Sequence, residues 1–158
     1  MTLAENLLPR LSDWRPALGG RHSWSEAFPD AGWTVTLAAD KVDSLSCLVW
    51  ELSLTRTAEP PAGLTLRGWA TAVADRVSGL MEPLSVYEVD DSRHEAVLRS
   101  DAPAKKGEAL AYYEVRLHGL GKAVVRRFAA TKAAPGRTQV AFALTHEVLA
   151  KLAGDVAG

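Results

Sequence analysis

Alternation is the feature that most constrains this chain. Between Glu108 and Thr145, Ala111, Tyr113, Val115 and Leu117 interleave with Tyr112, Glu114, Arg116 and His118. A period of two marks a strand with one dry face and one wet face. The stretch reads as three strands, Ala109–His118, Lys122–Lys132 and Arg137–Leu144. Turns at Gly119-Leu120-Gly121 and Ala133-Ala134-Pro135-Gly136 join them. In the third strand Val140, Phe142 and Leu144 share a face, and Gln139, Ala141 and Ala143 share the other.

The middle strand carries Arg126 and Arg127 side by side, so each face receives one guanidinium. A three-residue loop with Gly121 left-handed sets Glu114 opposite Arg126, and a two-residue loop at Leu120-Gly121 sets it opposite Arg127. A loop centred on Gly119-Leu120 puts Val125 there instead. Two readings follow. Glu114 and its arginine form a register-fixing pair on the wet face, which contributes about 0.2–1 kcal/mol. Alternatively Tyr112, Glu114, Arg116, His118 and one arginine assemble a polar site on the sheet.

A length of 158 residues, 47% hydrophobic and 23% charged, suits a single soluble domain with a core of its own. The 18 basic and 19 acidic residues nearly cancel, leaving a net charge of −1. No cationic surplus is present to neutralise a phosphate backbone, so a nucleic-acid partner is not expected. Cys47 is the one cysteine, which excludes an intrachain disulfide. It falls in the apolar run Leu45–Leu54 and reads as a buried, inert thiol. Met1–Trp14 lacks the apolar core of a signal peptide, and no run has the length of a membrane span. A cytoplasmic protein is the expectation.

Along the chain, Met1–Gly32 reads as an irregular arm. Leu3, Leu7, Leu8 and Leu11 have helical spacing, but Pro9 limits any helix. Pro16, Gly19-Gly20, Pro29 and Gly32 mark loops. Trp14, Trp24 and Trp33 lie in or beside this arm. Such residues either pack it over the sheet or form an aromatic recognition surface. Residues 33–158 read as the α+β core. Trp33–Ala39 and Leu45–Thr57 form a hairpin through Asp40–Ser44. In the second of these strands, Leu48, Trp50, Leu52 and Leu54 share one face. After the breaker Pro60-Pro61 and Gly63 comes a helix over Leu66–Leu80, with Leu66, Trp69, Ala70, Val73, Val77 and Leu80 on its apolar stripe and Thr65 as its cap. Leu84–Glu88 and His94–Ser100 are two more strands, turning at Asp90-Asp91-Ser92. Asp101–Gly107 reads as a loop with a basic tip at Lys105-Lys106, and Thr145 caps a final helix, Glu147–Val156. Short connections between successive strands make this a mostly antiparallel sheet with a central and a C-terminal helix packed on it.

No phosphate loop, dinucleotide fingerprint or nucleophile elbow occurs. His22, His94, His118 and His146 are far apart in sequence, so no metal site and no cofactor are expected. The cluster of Asp90-Asp91 with His94 and Glu95 reads as a solvated turn.

The order of elements resembles the PsbP-like/DcrB-like α+β family. The resemblance runs over Leu48–Leu152. It includes Leu52-Ser53-Leu54-Thr55-Arg56, the Pro60-Pro61 breaker, the helix after it, and Leu84-Ser85-Val86-Tyr87-Glu88 leading to His94-Glu95-Ala96-Val97-Leu98. It implies non-catalytic work as an accessory subunit, an adaptor for a small GTPase, or a secretion chaperone that shields apolar segments. It rests on element order and carries over no functional residue. The first expectation is therefore a binding, adaptor or chaperone-like module for a protein partner, with Trp24, Trp33 and Tyr112 as exposed contacts. The second is a small-molecule-binding protein or enzyme that uses a polar sheet face of Glu114, Arg116, His118 and Arg126. A third is a subunit whose strand edge pairs with a second copy as a homodimer.

Overall fold

The computed structural model describes residues 1–17, 19–100, 104–106 and 109–158. The element order is α1 (Leu3–Asp13), β1 (His22–Phe28), β2 (Trp33–Val42), β3 (Ser46–Arg56), α2 (Leu66–Arg76), β4 (Leu84–Asp90), β5 (Glu95–Ser100), β6 (Ala104–Lys106), β7 (Ala109–His118), β8 (Lys122–Thr131), β9 (Thr138–Val140), β10 (Phe142–Thr145) and α3 (His146–Ala157). The strands form one antiparallel sheet in the order β1-β2-β3-β8-β7-β5-β4, with β6 on β7, β9 on β8 and β10 on β3. The expected α+β class and antiparallel sheet are what the chain adopts.

The N-terminal arm is not irregular. Thr2 and Glu5 form a reciprocal capping box at the start of α1. Leu3, Leu7 and Leu11 bury one stripe of that helix, while Pro9 sits inside it on the exposed side. The backbone bond that proline deletes is therefore lost where water can replace it, and the buried leucines hold the helix together. β1 follows, with Trp24 opposite Leu37 and Phe28 opposite Trp33. Gly32 closes the β1–β2 turn at φ +80°, and a Cβ there would lie 2.8 Å from the Ala58 Cβ. Its carbonyl also accepts from Thr57 N at 2.8 Å, so this position admits no side chain.

The core fills the space between the sheet and the three helices. β2 contributes Trp33, Val35, Leu37 and Ala39, and α2 contributes Trp69, Ala70 and Val73. The face of β3 differs from simple alternation. Cys47 and Val49 are buried, then Leu52 and Leu54, because Trp50 is skipped in the pairing with β2 and Asp40 is skipped on the partner strand. A bulge shifts the parity by one residue. Leu48 and Trp50 therefore leave the core face that alternation assigns them. Arg21 secures the irregularity, its guanidinium 3.7 Å over the Trp50 ring and 2.7 Å from the Asp40 carboxylate.

α2 ends at Arg76 rather than at Leu80, although Val77 and Leu80 stay buried. Gly79 explains the extended exit. A Cβ there would meet Val148 of α3 at 3.1 Å, so the chain passes close under the last helix. Trp69 Nε1 donates to Val156 O at 2.9 Å, and Arg76 Nε donates to Asp155 O at 2.8 Å. These two bonds tie α2 to the end of α3.

The expected third strand of the array divides at Ala141. β3 and β8 pair only over Leu52–Thr55 and Lys122–Val125 and then part. β9 takes the exposed side of β8, and β10 takes that of β3. The loop expected over Asp101–Gly107 contains β6, and its remaining residues lie outside those described. No helix among the described residues is long and apolar enough to cross a membrane.

Candidate functional site: the arginine-covered face of the sheet

The helices cover one face of the sheet, and β7 presents the other. Tyr113, Val115 and Leu117 enter the core, and Tyr112, Glu114, Arg116 and His118 point away from it, as the alternation requires. His118 pairs with Lys122 and Glu114 with Arg126, so the loop has three residues. The positive φ falls at Gly119 (+55°), not at the expected Gly121. Arg56 fixes this loop from β3. Its N–H donates to Gly121 O and its Nε to Leu120 O, both at 2.7 Å.

That register aligns side chains in rows across four strands. One row runs Arg99, Glu114, Arg126, with Glu51 beyond. The next runs Val97, Arg116, Val124, Ser53, and a third runs Glu95, His118, Lys122, Thr55. Arg126 does not bind the residue opposite it. It reaches Glu51 at 2.6 Å through Nε and Nη2. Glu114 is instead taken by Arg137 (Nη1–Oε1 2.7 Å, Nη2–Oε2 3.4 Å), by Arg99 (3.4 Å) and, at 3.8 Å, by Arg116. Of the registers the sequence leaves open, the three-residue loop is the one adopted, and Glu114 does face Arg126. The ion pair does not form, because Arg137, Arg99 and Arg116 surround the carboxylate and Arg126 turns to Glu51.

Glu114 is only 1% exposed, although no helix covers it. The arginine stems do the covering, as long amphipathic side chains can. Arg137 lies 3.6 Å over the Phe128 ring and donates to the Tyr112 hydroxyl at 3.1 Å. Arg99 sits 4.1 Å from the Tyr87 ring and 5.2 Å from that of Tyr112. Val97, Val124 and Phe128 are buried beneath this layer, apart from the main core. Burial by itself would make the Arg137 guanidinium easier to deprotonate. Its bonds to Glu114 and Tyr112 more than offset that, and its pKa is raised. A buried carboxylate with several charge-assisted donors is a stable arrangement only while every donor is present.

Of the residues singled out from sequence, Tyr112, Glu114, Arg116, His118 and Arg126 do share this face. His118 approaches Glu95 at 3.5 Å, as Arg116 does. Trp24 and Trp33 do not share it. Trp33 is 4% exposed and stacks with Trp69 at 5.9 Å under the Arg56 guanidinium, and Trp24 packs on the helix side against the core. Both pack the arm in place and are not the exposed contacts expected of them. Sequence reasoning missed Arg99, Arg137, Glu51 and Tyr87, and it assigned Glu95 only to the turn at Asp90. Arg99 was accessible from the alternation of β5, whereas Arg137 reaches Glu114 from beyond a loop whose path no local pattern gives.

The depression on this face, lined by Glu88, Asp90, Arg93, Glu95, Val97 and Arg116, holds about 80 Å³. That is well below the several hundred Å³ of a typical ligand pocket. A larger cavity of about 500 Å³ lies under the α1–β1 linker, where Cys47 forms part of the wall. Burial, then the nearby Asp43 carboxylate, pushes that thiol up to about 11, so it stays protonated and unreactive. The expected solvated turn at Asp90 is present. Its carboxylate accepts from Ser92 and Arg93 N–H groups, and His94 adopts φ +54°. Among the described residues no group of acidic, histidine and cysteine side chains is arranged to hold a metal ion.

Compared with protein-family models, curated proteins and solved structures, the chain matches none.

Proposed function

We propose that the arginine-covered face is a docking surface for a protein partner, and that the chain works as a non-catalytic adaptor or chaperone-like module. The observation that carries this reading is the fixed presentation of Arg99 beside Tyr87, a residue 62% exposed. Tyrosine and arginine are the residues that most often anchor protein interfaces, and holding them rigid lowers the entropy lost on binding. Around Glu114 three arginines, Arg99, Arg116 and Arg137, meet one carboxylate, while Glu51, Glu88, Asp90 and Glu95 lie farther out on the same face. A partner with carboxylates beside an apolar contact fits that balance. The resemblance in element order to the PsbP-like/DcrB-like domains supports the same reading.

The alternative, a small-molecule site or enzyme on this face, needs Glu114, Arg116 and His118 to converge into a cavity. The carboxylate of Glu114 is instead occupied by arginines, and the depression beside it is too small for a metabolite. Site-specific photocrosslinking in cells tests the proposal. A benzophenone amino acid at Tyr87 is expected to capture a discrete protein, whereas the same group at the exposed Arg67 of α2 is not. Absence of an adduct from position 87, or equal adducts from both positions, overturns it.

A further inference from the structure

The two edges of the sheet are built differently. At one end β4 is protected in the ways edge strands usually are. A bulge at Tyr87 breaks its register with β5, and Glu88 and Asp90 place charge along it. At the other end β1 has none of these devices. Its seven residues pair with β2 without a register shift, and they include no proline and no lysine. Its single charge, Glu26, is bound to Arg10 of α1 at 3.0 Å. The side chains facing away from the helices are Ser23, Ser25 and Ala27, all small and exposed. Along its outer side, β1 makes no backbone pairing among the described residues.

We propose that β1 is a docking edge whose occupant is a second copy of this chain, paired antiparallel through the same strand about a two-fold axis at Ser25. The sequence of the strand is self-complementary only in that register. Ser25 then faces Ser25 of the second copy, Ser23 faces Ala27, and Trp24 faces Glu26. A register centred on Glu26 opposes two carboxylates, and one centred on Trp24 brings two indoles together at the axis while leaving the end of the strand unpaired. The Ser25 pairing joins two sheets into one, with an unbroken strip of small side chains across the junction. Ser25 Oγ already bonds Thr36 Oγ1 at 3.0 Å and continues that strip onto β2. Seven residues span about 24 Å, which makes a small interface. The dimer is therefore weak and concentration-dependent.

The surface is distinct from the arginine-covered face, and the two proposals fail separately. Analytical ultracentrifugation of the full chain is expected to show a monomer at about 1 µM and a growing dimer fraction toward about 200 µM. The variant Ser25→Lys opposes two ammonium groups on the axis and is expected to remain monomeric, with an unchanged circular dichroism spectrum. Under mild oxidation, Ser25→Cys is expected to form a disulfide-linked dimer. Ser23→Cys and Ala27→Cys are expected to crosslink when mixed and not alone, with the buried Cys47 silent in each. A wild-type chain that stays monomeric at about 200 µM overturns the proposal. So does a dimer that survives Ser25→Lys, or one in which Ser23→Cys crosslinks to itself as readily as to Ala27→Cys.

Discussion

Leu54 and Glu114 lie on opposite faces of one sheet, and both are almost wholly withdrawn from solvent. Leu54 is covered by the hydrocarbon packed between the sheet and the helices. Glu114 is covered by arginines that also neutralise it. The first kind of burial is non-directional and scales with area, and each contact is small and replaceable. The second is directional, and the loss of one partner leaves charge stranded in a poorly hydrated place. One face is thus built for stability. The other holds charged groups at fixed positions, with Glu114 enclosed by arginines that themselves remain partly exposed.

Substitutions should separate the two modes. The largest effect is expected on the helix side, where Trp69→Ala empties a ring-sized space and frees the Val156 carbonyl. Chemical denaturation should show a loss of about 4 kcal/mol. On the other face, Glu114→Gln strands Arg99 and Arg137 and should cost about 3 kcal/mol. Salt distinguishes the two. The Glu114→Gln deficit should narrow between about 0.05 M and 1 M sodium chloride, and the Trp69→Ala deficit should not. Equal salt responses would break the comparison.

Arg137→Ala removes the shortest donor to the buried Glu114 carboxylate and leaves it to the longer contacts of Arg99 and Arg116, so about 2 kcal/mol is expected in the same assay. His146 sharpens the contrast from within the helix side. It is 3% exposed with neither ring nitrogen bonded, and burial, helped by Arg15, lowers its pKa below the usual 6.5 while Asp43 opposes the shift. The unfolded chain therefore takes up this proton first as pH falls. The stability that neutral His146 confers is complete above about pH 6.5 and drains away between there and its lower folded-state value. Denaturation midpoints across that range should slope for the wild type and flatten for His146→Leu. The smallest effect belongs to Tyr87→Ser, expected within about 0.5 kcal/mol of wild type because the residue is mostly in solvent. The same change should weaken partner capture on the arginine face.

Periodicity disclosed most of the strands because a pleat imposes it regardless of context. It also placed Tyr112, Glu114, Arg116 and His118 on one face. Three things escaped it. The glycines and prolines around the short alternation Trp24, Glu26, Phe28 mask it, so β1 reads from sequence as part of a loose arm. The bulge at Trp50 and Asp40 reverses parity midway along β3, and such a shift depends on a partner strand rather than on the strand itself. The company of Glu114 was the third. Arg99 and Arg137 come from separate elements, and a guanidinium on a long stem selects among carboxylates only once the sheet is assembled.

The parting of β3 and β8 has a consequence for folding. The strands up to β8 can pair with one another before the segment 138–145 docks into the notch between β3 and β8. Until then the backbone beside Cys47 and Val49 lies open, next to apolar side chains that α3 has yet to cover. A chain ending at Arg137 would be sticky at one defined place. Truncation there should therefore raise aggregation on refolding relative to the full chain.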